Sequence, residues 1–76
     1  MTDSIPAIKP EALMRALARA GFYVHHQTGS HVAMRHRENK TKRVTIPRHS
    51  KTLKKGTLGS ILKQAGLTIE EFKRLL

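Results

Sequence analysis

The sequence contains no cysteine and no tryptophan, and it has no long hydrophobic run. The absence of cysteine excludes disulfide bonds, thiolate zinc sites and cysteine nucleophiles. Apolar runs of a few residues are too short to cross a bilayer, which takes about 20. The first residues also lack the basic start and apolar stretch of a signal peptide. We therefore predict a cytoplasmic protein that does not associate with membranes.

Acidic residues are scarce as well. Five Asp and Glu stand against 15 Lys and Arg, which gives a net charge of +10 with neutral histidine. Residues 25–55 hold nine of the basic residues, one Glu and all five histidines. Such a concentration of positive charge attracts polyanions, and nucleic acid is the commonest polyanion bound by a small basic protein. A surface kept basic only for solubility is the alternative, although solubility does not require this segregation.

The length of 76 residues limits the chain to a small hydrophobic core. A domain of this size buries only about 60% of the surface that its unfolded chain exposes, so a deep cleft between domains is excluded. Residues 1–8 show no periodicity and are predicted to be loose. We expect one domain over residues 9–76.

Hydrophobic periodicity predicts one helix before the strands and two after them. Apolar residues recur at helical spacing over residues 10–20, with proline in the first turn. Thr57 is predicted to cap the second helix, whose apolar stripe follows it. Thr68 and Glu71 have the spacing of a capping box, which predicts a short third helix.

Three strands are predicted between the first two helices, over residues 22–27, 30–36 and 42–46. The fold class is therefore α+β, an α-β-β-β-α-α order in which helices cover one face of a three-stranded antiparallel sheet. This is the architecture of double-stranded-RNA-binding domains, which recognise phosphates and 2′-hydroxyls. Only Tyr23 among the three aromatic residues could lie on the open face, which argues against base stacking as the main binding mode.

Basic residues of the open face and of the loop before the second helix are the candidate phosphate ligands. Strand alternation places Arg35 and Arg43 on the same face as His31, where they could hold a scissile phosphate. At the helix start, free backbone N–H groups and the helix dipole favour anions, although a solvated loop is the alternative. The predicted RNA- or phosphate-binding residues are Arg35, Arg43, Arg48, Lys54, Lys55 and Thr57.

His31 is the candidate catalytic residue. It follows a Gly-Ser turn at the start of the central strand, and a histidine fixed in this way can move protons near neutral pH. No grouping with metal-ligand spacing surrounds it, so neither a metal nor another cofactor is predicted. The remaining histidines are expected to be unreactive, one of the adjacent pair near the core and the others exposed: His25, His26, His36 and His49.

Three stretches of the chain, Gly29–His31, Arg43–His49 and Leu53–Thr68, resemble the toxins of the HicA family. The Gly-Phe pair at residues 21–22 and the Glu-Glu-Phe at residues 70–72 are also similar. The resemblance extends from Leu13 to Phe72. Each motif is weak alone, but together, in this order and spacing, they are specific.

The resemblance implies a small mRNA interferase with a double-stranded-RNA-binding-like fold, which cleaves RNA and arrests translation until a HicB antitoxin neutralises it in a hetero-oligomer. The family's catalytic histidine maps to His31, and Gly29 and Ser30 form its turn. Val32 stands where the family often has a second polar residue, so no two-histidine site at the turn is implied.

We expect from these features a metal-independent endoribonuclease that uses one histidine. A non-catalytic RNA- or DNA-binding module of the same fold is the alternative. A structural ribosome-associated protein is a weaker one, because such a protein seldom needs a histidine on an exposed turn.

Overall fold

The chain folds into one helix, three strands and two further helices, in the order predicted from the sequence. The computed structural model describes residues 5–49 and 51–76. Its elements are α1 (Pro10–Arg19), β1 (Phe22–Thr28), β2 (His31–His36), β3 (Arg43–Pro47), α2 (Lys55–Ala65) and α3 (Ile69–Leu75). The three strands form one antiparallel sheet in the order β1-β2-β3, so the predicted α+β class is confirmed.

One hydrophobic core joins the inner face of the sheet to the three helices. Alternate residues of β2 and β3 are buried on this face, and their neighbours in the sequence are more exposed, as the period of two requires. The buried residues of the helices recur at helical spacing. The core contains Leu13, Ala16, Leu17, Phe22, Val32, Met34, Val44, Ile46, Leu53, Leu58, Ile61, Leu62, Ala65 and Phe72. Within the described ranges, no helix is long and apolar enough to cross a bilayer.

The capping box predicted for α3 is present. The backbone N–H of Thr68 donates to Glu71 Oε1 at 2.9 Å, and the Glu71 N–H donates to Thr68 Oγ1 at 3.0 Å. The hydrogen bond from the Thr68 backbone, followed by that with its side chain, holds the pKa of Glu71 below its ordinary value. This cap fixes the start of a helix of only seven residues, which Phe72 anchors in the core.

The second helix begins earlier than predicted. It starts at Lys55 with Lys54 as its N-cap, so the prediction that Thr57 caps it is wrong, and Thr57 lies half-buried in the first turn. The reason is the buried Leu53, whose N–H donates to the Ile8 carbonyl at 2.8 Å. This anchor holds the chain directly before Lys54, and the helix begins there.

A β-bulge interrupts the alternation of β1. Val24 pairs with Met34 and His26 pairs with Ala33, so the strand contains one residue more than its partner at this point. Both His25 and His26 are exposed. The prediction that one of these histidines lies near the core is therefore wrong, because the bulge breaks the period of two on which it rests.

Residues 5–8 are held against the core, in contrast to the predicted loose segment over residues 1–8. Ile5 and Ile8 are half-buried against the core cluster. Their apolar side chains provide the contact, and the Ile8 carbonyl accepts the hydrogen bond from Leu53. The rest of that segment, residues 1–4, lies outside the described residues.

Candidate functional site

A two-residue turn positions His31 at the start of β2. Thr28 and His31 form the last pair of the β1–β2 hairpin, and Gly29 and Ser30 connect them. Gly29 has a φ of +37°, a conformation that glycine adopts at little cost. A Cβ at this position would meet no atom within 4 Å, so backbone conformation rather than space favours glycine here.

His31 is held on the exposed face between two neighbouring strands. It pairs with Thr28 of β1 and with Pro47 of β3, so its backbone is fixed on both sides. A hydrogen bond joins its Nδ1 to Ser30 Oγ at 3.3 Å, and its Nε2 makes no hydrogen bond within residues 5–49 and 51–76. The imidazole is therefore oriented through one nitrogen and available through the other.

The chain after β3 lies beside the Gly-Ser turn. The N–H of Arg48 donates to the Ser30 carbonyl at 2.6 Å, which extends the pairing of β2 with β3 by one residue. Gly29, Arg48 and His49 line one cavity of about 470 Å³ together with two residues near the start of α1. The structure thus brings the turn, Arg48 and His49 together. Strand alternation and spacing give no reason to single out His49, although it is the last residue of the stretch Arg43–His49 that resembles the family.

The start of α2 lies at the same end of the sheet. Its N-cap, Lys54, provides no side-chain hydrogen bond, and its first turn has no acidic residue, so backbone N–H groups there remain available to an anion. A cavity of about 290 Å³ connects this helix end to Pro47, the strand partner of His31. It is lined by Pro47, His49, Lys51, Thr52, Leu53, Lys54 and Thr57.

Arg35 and Arg43 lie at the other end of the sheet from His31. They pair with each other across β2 and β3, while His31 pairs with Pro47. The four residues from His31 to Arg35 correspond to about 13 Å along a strand. The expectation that these arginines hold the phosphate at His31 does not fit this separation, because Arg35 lies four residues further along the same strand and the register places Arg43 opposite Arg35.

His36 has a structural role that the sequence does not reveal. It is half-buried, its Nε2–H donates to the Ala20 carbonyl at 3.0 Å, and its Nδ1 accepts from the N–H groups of Glu38 and Asn39 at 3.2 and 3.1 Å. Its ring also meets the Phe22 ring edge-on, with centroids 5.1 Å apart. The prediction of an exposed, unengaged side chain is wrong, because the imidazole joins α1 to the β2–β3 connection.

Replacing His36 by alanine is expected to lower the free energy of unfolding by about 2 kcal/mol, since the variant cannot form these three hydrogen bonds or the edge-on packing with Phe22. Urea denaturation followed by circular dichroism measures this. The matched control is His26→Ala, at an exposed position, which we expect to change stability by less than about 0.5 kcal/mol. Equal stability of the two variants would contradict a structural role for His36.

The part of the chain that the structure describes contains no cluster of three or more His, Cys, Asp or Glu side chains able to hold a metal ion. What the described residues do bring together at one end of the sheet is an exposed histidine, an arginine and an uncapped helix start. These groups can exchange a proton and neutralise an anion, which is what chemistry on a phosphodiester requires.

The fold and this surface define a small, basic α+β protein with an exposed histidine at one end of an open sheet. The chain belongs to the HicA family: the family model of the HicA toxin of bacterial toxin-antitoxin systems matches residues 11–67. It is therefore a toxin of a toxin–antitoxin pair, and its partner is an antitoxin. A comparison with curated proteins found no match.

Proposed function

We propose that the protein is a metal-independent endoribonuclease, an mRNA interferase that arrests translation and growth, and that His31 moves the protons of the reaction. The observation that carries this proposal is the position of His31. It lies on a basic face, is fixed by strand pairing on both sides, and has a free Nε2 within the described ranges. Membership in a toxin family supports an activity that harms the cell. We assign this activity to a single domain over residues 9–76.

The simplest reaction uses the 2′-hydroxyl of the RNA itself as nucleophile. His31 Nε2 accepts the hydroxyl proton, the bond from O2′ to phosphorus forms, and the bond from phosphorus to O5′ breaks. The protonated imidazole then gives this proton to the leaving O5′, and a 2′,3′-cyclic phosphate remains on the other fragment. We assign the stabilisation of the charge that develops on the phosphorus oxygens to Arg48, whose N–H donates to the Ser30 carbonyl, and to the N–H groups at the uncapped start of α2.

The remaining residues of the site position the RNA or the catalytic turn. Gly29 and Ser30 hold His31, and the basic residues bind the phosphate backbone largely independently of sequence. The proposed RNA ligands are Arg35, Arg43, Arg48, Lys54, Lys55 and Thr57. Four of these residues lie near the end of the sheet that carries His31: Arg48, Lys54, Lys55 and Thr57.

We propose that the antitoxin is of the HicB type and covers the open face, and that the pair acts in the cytoplasm. A protein with a net charge of +10 attracts an acidic partner, and charge complementarity accelerates the encounter. Covering this face would block RNA and His31 together.

Incubating the purified toxin with a long single-stranded RNA in EDTA tests the proposed reaction. We expect RNA fragments that end in a 2′,3′-cyclic phosphate, and we expect an all-deoxy strand of the same sequence to remain intact. A requirement for a divalent metal, or equal cleavage of the deoxy strand, would contradict the mechanism. Binding without cleavage, and growth that continues when the toxin is expressed alone, would instead indicate a non-catalytic RNA- or DNA-binding module.

Reversing the charge of Lys54 and Lys55 to Glu is expected to weaken RNA binding without unfolding the protein. Both side chains are exposed, so the free energy of unfolding should change by only about 0.5 kcal/mol. The slope of log affinity against log salt should fall by about one unit for each phosphate that the variant no longer binds. Fluorescence anisotropy at several salt concentrations measures the slope, and Lys73→Glu on α3 is the control. An unchanged slope would mean that these lysines do not touch the RNA backbone.

A further inference from the structure

Arg35 and Arg43 stand directly opposite each other on the exposed face of the sheet. They are cross-strand partners in β2 and β3, and both line one open cavity of about 620 Å³. The other residues around this cavity, within the described part of the chain, include two threonines, a glutamine and a histidine but no acidic side chain: His25, Ala33, Met34, Thr41, Val44, Thr45 and Gln64. The bulge in β1 is next to this cavity and exposes His25 there.

Such a pair is unfavourable unless an anion lies between the two arginines. Directly opposed side chains have Cβ atoms about 5 Å apart, and like charges at this distance destabilise the sheet. Two arginine side chains that line one cavity can instead share the oxygens of a single anion through charge-assisted hydrogen bonds. The hydroxyls of Thr41 and Thr45 and the amide of Gln64 add hydrogen-bond donors at the same place.

On β2 and β3, only small side chains of the exposed face lie between this pair and His31. Along β2, Ala33 lies between His31 and Arg35, and on β3 its partner Thr45 lies between Pro47 and Arg43. Both are small side chains on the same face. A chain bound at His31 and following the strands therefore passes over Ala33 and Thr45 and then reaches the arginines, after about 13 Å.

We propose that Arg35 and Arg43 form a second phosphate subsite, which binds a backbone phosphate of the RNA two or more phosphates away from the one that is cleaved. The separation exceeds the distance between consecutive phosphates of a nucleic acid strand, so the adjacent phosphate does not reach the pair. This subsite rests on the proposed function, and it makes a stretch of several nucleotides of RNA, rather than a dinucleotide, the substrate that the toxin binds best.

The experiment is a scan of the RNA backbone in which one phosphate at a time is made neutral. The probe is a short oligoribonucleotide that contains one cleavage site and a single 2′-deoxy sugar there to prevent cleavage. A series of such probes each carries one uncharged methylphosphonate, and fluorescence anisotropy gives the affinity of each for the wild type, Arg35→Gln, Arg43→Gln and Arg48→Gln.

For the wild type we expect affinity to fall about tenfold wherever the neutral linkage removes a charge-assisted hydrogen bond. For the Arg35→Gln variant, the affinity should no longer fall when one of these phosphates is replaced by a methylphosphonate. The Arg43→Gln variant should become insensitive at the same phosphate. It should lie at least two phosphates from the scissile one. Arg48→Gln should make a different position insensitive to neutralisation, the scissile phosphate itself.

Arg74→Gln on α3 is the matched control, because it removes an exposed arginine far along the chain from the sheet. It should leave every position as in the wild type. Thermal melts check that the two variants of the pair remain folded, which we expect since each removes a repulsion.

Two results would overturn the subsite. One is a scan in which the Arg35→Gln and Arg43→Gln variants lose affinity at the same phosphate positions as the wild type. The other is unchanged RNA binding together with weakened antitoxin binding, which would assign the cavity to an acidic protein partner. Failure of the nuclease itself is recognised separately: the all-ribose parent would bind but remain uncut, while the position silenced by Arg48→Gln would still mark one end of the bound RNA.

Discussion

Replacing His31 by alanine is expected to abolish RNA cleavage and toxicity while leaving the fold and RNA affinity nearly intact. Loss of a positioned proton carrier lowers a rate by about 10²–10⁴-fold, which silences a slow nuclease. The side chain is exposed and its one hydrogen bond within the described residues is to Ser30, so its removal leaves no cavity in the core. It is also only one of many groups that bind the RNA.

Cleavage rates measured beside circular dichroism melts test this expectation. His25→Ala is the matched control, since His25 is an exposed histidine of β1 but is the unpaired residue of the bulge. Substitution of His25 or His49 should affect cleavage less than substitution of His31, because neither is held between two paired strands. If the His31 variant cuts RNA within a fewfold of the wild type, the assignment of the catalytic residue is wrong. If it melts far below His25→Ala, His31 is a structural residue.

Replacing Phe72 by alanine is expected to have the largest effect on stability, a decrease of about 3–5 kcal/mol in the free energy of unfolding. Phe72 is fully buried, and it is the buried residue that ties the short helix α3 to the core. Domains of this size are stabilised by only about 5–10 kcal/mol in total, so the variant should be partly unfolded at growth temperature. Urea denaturation gives the change in free energy.

Val24→Ala serves as the comparison for Phe72→Ala. Val24 is a large apolar residue that remains 46% exposed, so truncating it should cost much less than truncating Phe72. Similar decreases for the two variants would mean that α3 contributes little to the stability of the core. A selective decrease at Phe72, accompanied by loss of toxicity in cells, would show that the last helix is required to maintain the active fold.

The order and type of the elements follow from the sequence because each one carries its own local signal. The apolar spacing after Pro10, the strand residues around Gly29 and the box formed by Thr68 and Glu71 are all readable without tertiary information. The start of α2 cannot be predicted from local sequence, because it is fixed by the hydrogen bond between Leu53 and Ile8, which are far apart in the sequence. Thr57 is the stronger local cap signal, and tertiary structure overrides it by starting the helix at Lys55.

The composition of the site is less predictable than the fold. The Gly-Ser-His turn is visible in the sequence, but the distance from His31 to Arg43 depends on strand register, which pairs Arg35 with Arg43 and His31 with Pro47. A bulge cannot be read from adjacent histidines, because either one could be the additional residue. The hydrogen bonds of His36 depend on α1 and a turn meeting in space, for which strand alternation contains no signal.

The sequential strand order has a consequence for how quickly the toxin forms. Each strand pairs with the next one along the chain, so most pairings within the sheet join residues close in sequence. Proteins with such local contacts fold faster than those whose strands pair across the whole chain. The sheet of a newly synthesised toxin should therefore form early, as soon as its three strands have left the ribosome, before α3 makes its contacts with α1.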